Sequence, residues 1–401
     1  MLDLLQGIRI VSFNHFLLGP MGTQALGDLG ADVISVETPQ GAWQRGWAGG
    51  DVWPDGESAL HLCANRNKRS VAIDIKSAEG RDIALRLIDT ADVVAENFRP
   101  GVMEKLGLGF AALKARKPSL IYASASGYGP DGPYAEKPGQ DLLAQALFGM
   151  MAITGQAGSG PRPAGASVID HHGAALLAMG ILAALVRRQR TGAGCRVDVS
   201  LMQSALDLQA ESLVAWINAG SERPPIHAYR HVAGWYFAAP YGVYPTKDGH
   251  LALSLSPLAA LAAALAEPRL AAYSKRDSWS KQDEIGEIIA LRLASATTRE
   301  WIARMEPHKI WCAPVQGYEE ILADPQVKHM QALIRVPGSG QSGAPVTLLN
   351  HPVLYDGNAA EARLSPQRLG AQTRQVLREI GVEEAEISRL ARKAVIKCHP
   401  D

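Results

Sequence analysis

Asp170 lies in the stretch Gly165-Ala-Ser-Val-Ile-Asp170-His-His-Gly173, directly ahead of a long Ala- and Leu-rich helical segment, residues 173–190. A carboxylate between a short apolar run and a helix start is partly stripped of water, which raises its basicity and its reactivity. Three roles fit such a group: nucleophile, general base or helix cap. His171 and His172 stand beside it. Adjacent side chains in an extended segment point to opposite faces, so this pair does not easily share a metal. Ser124-Ala-Ser126-Gly127 lacks the Gly-x-Ser-x-Gly pattern of a nucleophile elbow, which argues against a serine hydrolase.

Two loops could hold anions. Asn65-Arg-Asn-Lys-Arg-Ser70 sets three cations next to a β-branched run, either as a phosphate site or as a solvated basic turn. Glu96-Asn-Phe-Arg-Pro-Gly101 follows a strand-like run and opens a helix, with Pro100 near its first turn. Amides at that start could accept an anion, and Phe98 could stack on a flat ring. Gly19, Gly22, Gly27 and Gly30 follow the first apolar run but do not form Gly-x-Gly-x-x-Gly. They read as close-packing positions rather than as a dinucleotide fingerprint.

The elements that must position these groups alternate. Strand-like runs at 8–13, 33–36, 71–75, 93–95 and 120–123 are separated by helix-like stretches at 21–29 and 78–89, with further helices at 141–153 and 173–190. Short apolar strands alternating with amphipathic helices specify a parallel sheet covered on both faces. Residues 201–219 read as one long helix and 221–225 as a linker. Residues 238–255 suggest a hairpin around Lys247-Asp-Gly249, followed by helices at 258–266 and 281–294. Beyond Tyr318, Pro325, Pro337, Pro345, Pro352 and Pro366 suggest a chain that wanders over a surface, with a last helix at 372–380. The division expected is a large domain from 1–200, a linker helix over 201–225, a small domain over 226–325, and a segment, 326–401, returning to the large domain.

Composition bounds the partners. The chain has 401 residues, 47% apolar and 20% charged, with 40 basic and 40 acidic residues that cancel. No net field attracts nucleic acid or an anionic membrane, so an anionic ligand needs a local site. Cys63, Cys195, Cys312 and Cys398 form no Cys-x-x-Cys pair, which argues for a reducing compartment and against both a disulfide framework and a zinc site. The N-terminal residues lack a signal-peptide layout. The longest apolar stretch, 173–186, falls short of the roughly 20 residues a spanning helix needs. A cytoplasmic protein is expected.

Read in order, several phrases resemble the class III CoA-transferase family, the group that includes formyl-CoA transferase and carnitine CoA-transferase. They are Gly7-Ile-Arg-Ile-Val, Leu29-Gly-Ala-Asp-Val-Ile-Ser-Val-Glu37, the two loops at 65–70 and 96–101, Ser126-Gly-Tyr-Gly-Pro-Asp-Gly-Pro133, Thr191-Gly-Ala-Gly-Cys-Arg-Val-Asp-Val-Ser200, Ala323-Asp-Pro-Gln326, Gly343-Ala-Pro345 and Leu369-Gly-Ala-Gln-Thr373. Their order and spacing hold from about residue 7 to residue 395. The resemblance implies an α/β fold: a large doubly wound parallel-sheet domain built from both chain ends, a smaller α+β domain, and an interlocked homodimer. It implies coenzyme A, carried as an acyl-CoA substrate, a small carboxylic acid as partner, and no metal. It makes Asp170 the catalytic nucleophile. It places CoA contacts at Phe16, Leu17, Thr38, Ile73, Lys76, Asn97, Phe98, Arg99 and Lys105. The sequence departs from the family pattern at Thr38, where some members carry arginine, and at Ser35, where lysine is frequent. It also lacks the Gly-Asp pair near 41–45, and His231-Val-Ala-Gly-Trp235 holds one glycine in place of a glycine-rich loop.

The same superfamily includes 2-methylacyl-CoA racemases, which resemble Gly-His-Asp where this chain reads Gly139-Gln140-Asp141. Moving an α-proton takes two positioned acid/base groups, and Gln140 does not exchange a proton near neutral pH. Transfer of the CoA group is therefore the expected reaction, with Gly139 and Gly234 as candidate oxyanion donors and Trp235, Tyr236, Phe237 and Tyr241 as either an acyl-pocket wall or core.

Overall fold

The β-branched runs near the N-terminus become six parallel strands: β1 (Arg9–Phe13), β2 (Asp32–Glu37), β3 (Lys68–Ile73), β4 (Val93–Glu96), β5 (Ile121–Ser126) and β6 (Arg196–Ser200). In the computed structural model they lie in the order β3-β2-β1-β4-β5-β6, and a short strand, Ile396–Lys397, joins the outer edge of β3 antiparallel. The structure describes residues 2–221, 226, 229–340 and 342–399. Residues 222–225 of the expected linker lie outside the described residues.

Strand residues alternate between the two faces of this sheet. Val11, Phe13, Ile34, Val36, Val71 and Ile73 enter one buried cluster with Ile83 and Leu87 of the helix Ala78–Asp89, Leu113 of the helix Phe110–Arg116, Val376 and Leu377 of the helix Thr373–Glu379, and Ile387 and Leu390 of the helix Glu384–Arg392. The opposite face carries the helices Leu18–Asp28 and Val168–Thr191, with Ile10, Leu26, Leu177 and Ile181 fully buried. The result is a mixed α/β fold with a large, mainly parallel sheet. The two helices approach closely because each has a glycine at the contact. A Cβ on Gly22 would stand 2.9 Å from the Ala174 carbonyl oxygen, and one on Gly173 would stand 2.6 Å from Leu18 Cδ1. Gly27 instead faces Asn67 and Val33, so this glycine series serves helix–helix as well as helix–strand packing.

The Val168–Thr191 helix is long and apolar enough to cross a membrane by length and composition. Here it packs against the sheet and the Leu18–Asp28 helix. It starts five residues earlier than the sequence reading, so Asp170 sits inside its first turn rather than ahead of it.

The chain divides into two units, 1–144 with 167–208 and 325–401, and 145–166 with 209–324. Residues 145–166, read from sequence with the first unit, belong to the second. The expected helix over 201–219 is two helices, Leu201–Asp207 and Ala210–Asn218. In the second unit β7 (Gly242–Pro245) and β8 (His250–Leu253) form the expected hairpin, and β9 (Cys312–Pro314) pairs with β8. Its core closes around Trp301, whose indole N–H donates to the Leu293 carbonyl at 2.7 Å. The proline-rich segment of the first unit holds a further hairpin, β10 (Leu333–Val336) with β11 (Val346–Leu349).

Candidate active site

Strand order reverses between β1 and β4: β2 and β3 lie on one side of that gap, β5 and β6 on the other. Open parallel sheets bind ligands outside the carboxyl ends of strands at such a switch point. The loops leaving β1 and β4 are tied together there. Asn97 Oδ1 accepts the His15 N–H at 2.8 Å, and Asn97 Nδ2 donates to the His15 carbonyl at 2.8 Å. Phe16 follows at φ +60°, a left-handed conformation that costs a bulky residue roughly 1–3 kcal/mol. Its N–H donates to Gln44 Oε1 at 3.0 Å, and Gln44 is buried. The rings of Phe16, Trp43 and Trp47 stack in series, with centroids 4.6 and 5.4 Å apart, while His15 lies between Phe16 and Phe98.

These loops open onto a cavity of about 750 Å³. Asp170 lines it, together with Ser126 at the end of β5, with Gly127, Lys137 and Gln140 beyond it, and with Asp141 at the start of the next helix. Gly127 and Gly139 meet back to back: a Cβ on Gly139 would stand 2.4 Å from Gly127 Cα. The two loops on that side of the cavity therefore have no room for a side chain between them.

The helix that carries Asp170 has no side-chain cap of its own at Ser167. Its cap comes from Asp141, whose Oδ2 accepts the N–H groups of Ile169 at 2.8 Å and Asp170 at 3.0 Å. Free amides at a helix start would favour negative charge on Asp170. Asp141 takes two of them and adds its own negative charge. Burial first, and the Asp141 charge second, push the Asp170 carboxyl up to about 7. Such a group is half ionised near neutrality and, once ionised, is a more basic nucleophile than an ordinary aspartate.

Six of the ten sequence-predicted site residues meet at this cavity: Asp170, Phe16, Leu17, Asn97, Phe98 and Arg99. Thr38, Ile73, Lys76 and Lys105 do not line it. Thr38 and Ile73 stand at the ends of β2 and β3, farther along the same carboxyl edge of the sheet. The Thr38 hydroxyl donates to the Gly41 carbonyl at 3.1 Å, and the Ile73 side chain is wholly in the core. Lys76 is exposed and donates its N–H to Asp74 Oδ1, and Lys105 is the exposed last residue of a one-turn helix, Val102–Lys105. That helix begins at Val102 behind Gly101 and is too short for a sustained dipole. Glu96, just ahead of Asn97, accepts the Phe98 N–H at 2.9 Å, and burial pushes its carboxyl up to about 7.

The basic loop is neither a phosphate site nor a solvated turn. Arg66 makes a two-point pair with buried Asp28 at 3.0 and 2.6 Å. Lys68 Nζ donates to Pro20 O, Ala64 O and Asn65 Oδ1, with burial drawing its pKa down to about 7. Arg69 bridges Asp32 and Glu379. All three cations hold the fold. His172 pairs with Asp207 at 2.7 Å. Gly234 and the aromatics at 235–241 lie in the second unit, where Phe237 and Tyr241 stack at 4.3 Å and Phe237 packs on the core.

The CoA-transferase family III model matches residues 5–373. The chain belongs to this family. An acyl-CoA transferase of Fusarium pseudograminearum is 35% identical over 408 aligned residues, covering 98% of this chain and 88% of that protein. A succinate–glutarate CoA-transferase of Agrobacterium fabrum is 32% identical over 393 residues, covering 94% and 95%. A crystal structure of Rv3272 from Mycobacterium tuberculosis superposes with a TM-score of 0.79 at 30% identity, covering 92% of this chain and 98% of that one. The protein is thus a class III CoA-transferase, an enzyme class whose substrates are CoA thioesters and carboxylates. The sequence reading missed His15 and Asp141 as site residues. Their signals were modest: His15 stands two residues past a strand end beside Phe16, and Asp141 opens a helix with a capping side chain.

Proposed function

We propose that the enzyme moves CoA from an acyl-CoA thioester to a carboxylic acid, with Asp170 as nucleophile. The observation that carries this reading is the Asp170 carboxyl itself. It is held near a pKa of about 7 in a cavity of about 750 Å³ at the carboxyl edge of the sheet. An ionised Asp170 oxygen attacks the thioester carbonyl carbon, the C–S bond breaks, and an acyl-aspartyl anhydride forms as CoA thiolate leaves. The thiolate attacks the aspartyl carbonyl, releasing the first acid and leaving an aspartyl-CoA thioester. The acceptor carboxylate attacks that thioester, expelling CoA thiolate and forming a second anhydride. Attack of the thiolate on the acceptor's acyl carbon yields the new acyl-CoA and restores Asp170.

Each tetrahedral intermediate gains from amide donors aimed at its oxygen, worth roughly 3–4 kcal/mol for one donor. Water in the cavity would hydrolyse either covalent intermediate, so the apolar lining from Phe16, Leu17, Leu18 and Trp47 supports the reading. Gln140 beside Asp141 supports transfer over α-proton exchange, because that position lacks a second acid/base group. Dicarboxylic acyl-CoAs such as succinyl-CoA are the first donors to try, given the relative named for succinate and glutarate. A homodimer is part of the proposal, supported by Met179 and Val186, which stand 60% and 58% exposed on an apolar helix.

The test is intact-protein mass after incubation with a panel of acyl-CoAs that includes succinyl-CoA, beside Asp170→Ala. A CoA-sized adduct on the wild type that the variant lacks is expected. Deuterium washing into the α-position with no adduct from any donor would turn the assignment to proton transfer.

A further inference from the structure

Among the described residues His15 is the one imidazole in the cavity that Asp170 lines, and the sequence alone assigns it no role. Three observations set it apart. Its main chain is fixed on both sides, N–H and carbonyl, by the Asn97 carboxamide. Its ring is held between Phe16 and Phe98, with centroids at 5.4 and 5.3 Å, and the next residue pays for its place with a left-handed backbone. Its ring nitrogens, unlike those of His61, His172, His231 and His351, make no hydrogen bond or ion pair with any described residue. Burial lowers its pKa from the usual value, so the ring is neutral at pH 7 and offers one N–H donor and one bare acceptor.

A half-buried ring that lines the cavity, is held by packing and makes no hydrogen bond to the described protein can give its donor and acceptor to a molecule that enters without breaking a protein contact. Phosphates prefer cations, and Arg99 and Lys137 supply those at the same cavity. A neutral imidazole suits a neutral partner with both a carbonyl and an N–H, the pattern of the amides and thioester along the pantetheine arm. We infer that His15 is a substrate-contacting residue whose imidazole hydrogen-bonds the pantetheine–thioester arm of bound acyl-CoA. The inference rests on the cavity being the acyl-CoA site; it does not require Asp170 to form a covalent adduct.

Two variants separate hydrogen bonding from packing. His15→Gln keeps a donor and an acceptor; His15→Phe keeps the flat ring between Phe16 and Phe98 and removes both. Binding is titrated calorimetrically with two probes, coenzyme A and the ketone analogue acetonyl-CoA, which carries a carbonyl but no scissile thioester. His15→Phe should weaken at least one probe on the order of tenfold, with His15→Gln recovering most of the loss. Loss with both probes points to the pantetheine amides, and loss with the ketone alone to the thioester carbonyl. Equal binding of both probes by wild type and His15→Phe overturns the inference, as does equal weakening by Gln and Phe. Neither result touches the assignment of Asp170, whose adduct is read by mass on the wild type.

Discussion

Replacing Asp170 by asparagine keeps the shape of the side chain and deletes its charge, and the structure fixes how stability should respond. Burial and the Asp141 charge push the carboxyl up to about 7 in the folded chain, against about 3.9 for an ordinary aspartate. That difference corresponds to about 4 kcal/mol. The folded pKa is the higher one, so between these values the folded state keeps a proton that the unfolded chain has released. Stability of the wild type is therefore lost as pH rises from about 4 to about 7 and is flat above that. Asp170→Asn escapes this loss. Its gain should be near zero at about pH 4, about 2 kcal/mol at about pH 5.5 and about 4 kcal/mol above about pH 7.5. Urea midpoints of both proteins at the two higher pH values measure it, with the slopes checked for equality because the chain has two units. A gain of the same size at both values, or a loss at the higher one, would refute the argument that burial and Asp141 raise this carboxyl. On the proposed mechanism the same titration governs turnover. Wild-type kcat/KM should then fall about tenfold per unit below about pH 7 as the proposed nucleophile takes up its proton, and the asparagine variant should form no adduct.

Asp141→Asn retains an oxygen to accept the Ile169 and Asp170 N–H groups but removes the charge, so the acid limb of kcat/KM should move to lower pH while stability holds. Asp141→Ala also removes the cap, and chemical denaturation should show a loss of about 1 kcal/mol or more. Gly139→Ala drives a methyl group into Gly127 and should cost about 1–3 kcal/mol in the same assay, with a larger fractional loss of transfer rate. Arg66→Ala strands the buried Asp28 carboxylate and should cost about 3–5 kcal/mol, measured by urea unfolding, without changing the pH profile of the enzyme that remains folded.

The alternation of apolar runs made the sheet legible, and one helix, Ala78–Asp89, matches its expected bounds because Ser77 caps it locally, accepting the Gly80 N–H at 3.0 Å. The helix carrying Asp170 was placed five residues late because its cap is not local: Asp141 reaches it from 28 and 29 positions away in sequence. β6 was not read as a strand because Arg196 and Asp198 alternate with its valines and face outward, where they pair at 2.9 Å. The loop at 65–70 announced its charge but not its partners, since Asp28, Asp32 and Glu379 come from elements that only the fold brings near. Asp170, Phe16 and Asn97 were reached through family resemblance. Residue type alone left Asp170 as cap, base or nucleophile, and the neighbour that sets its basicity is a tertiary one.

The strand Ile396–Lys397 closes the β3 edge of the sheet, with Asp74 N–H donating to the Val395 carbonyl at 2.7 Å beside it. Every residue of the second unit precedes it in the chain, because that unit ends at Asp324. During synthesis the second unit can therefore be complete while the sheet still has an open edge, and residues 325–399 must still be made before that edge is covered. Until then, β3 offers unpaired backbone groups to any passing strand. The exposure of the nascent chain to mispairing is set by the time the ribosome takes over residues 325–399, roughly 4–15 s at typical elongation rates.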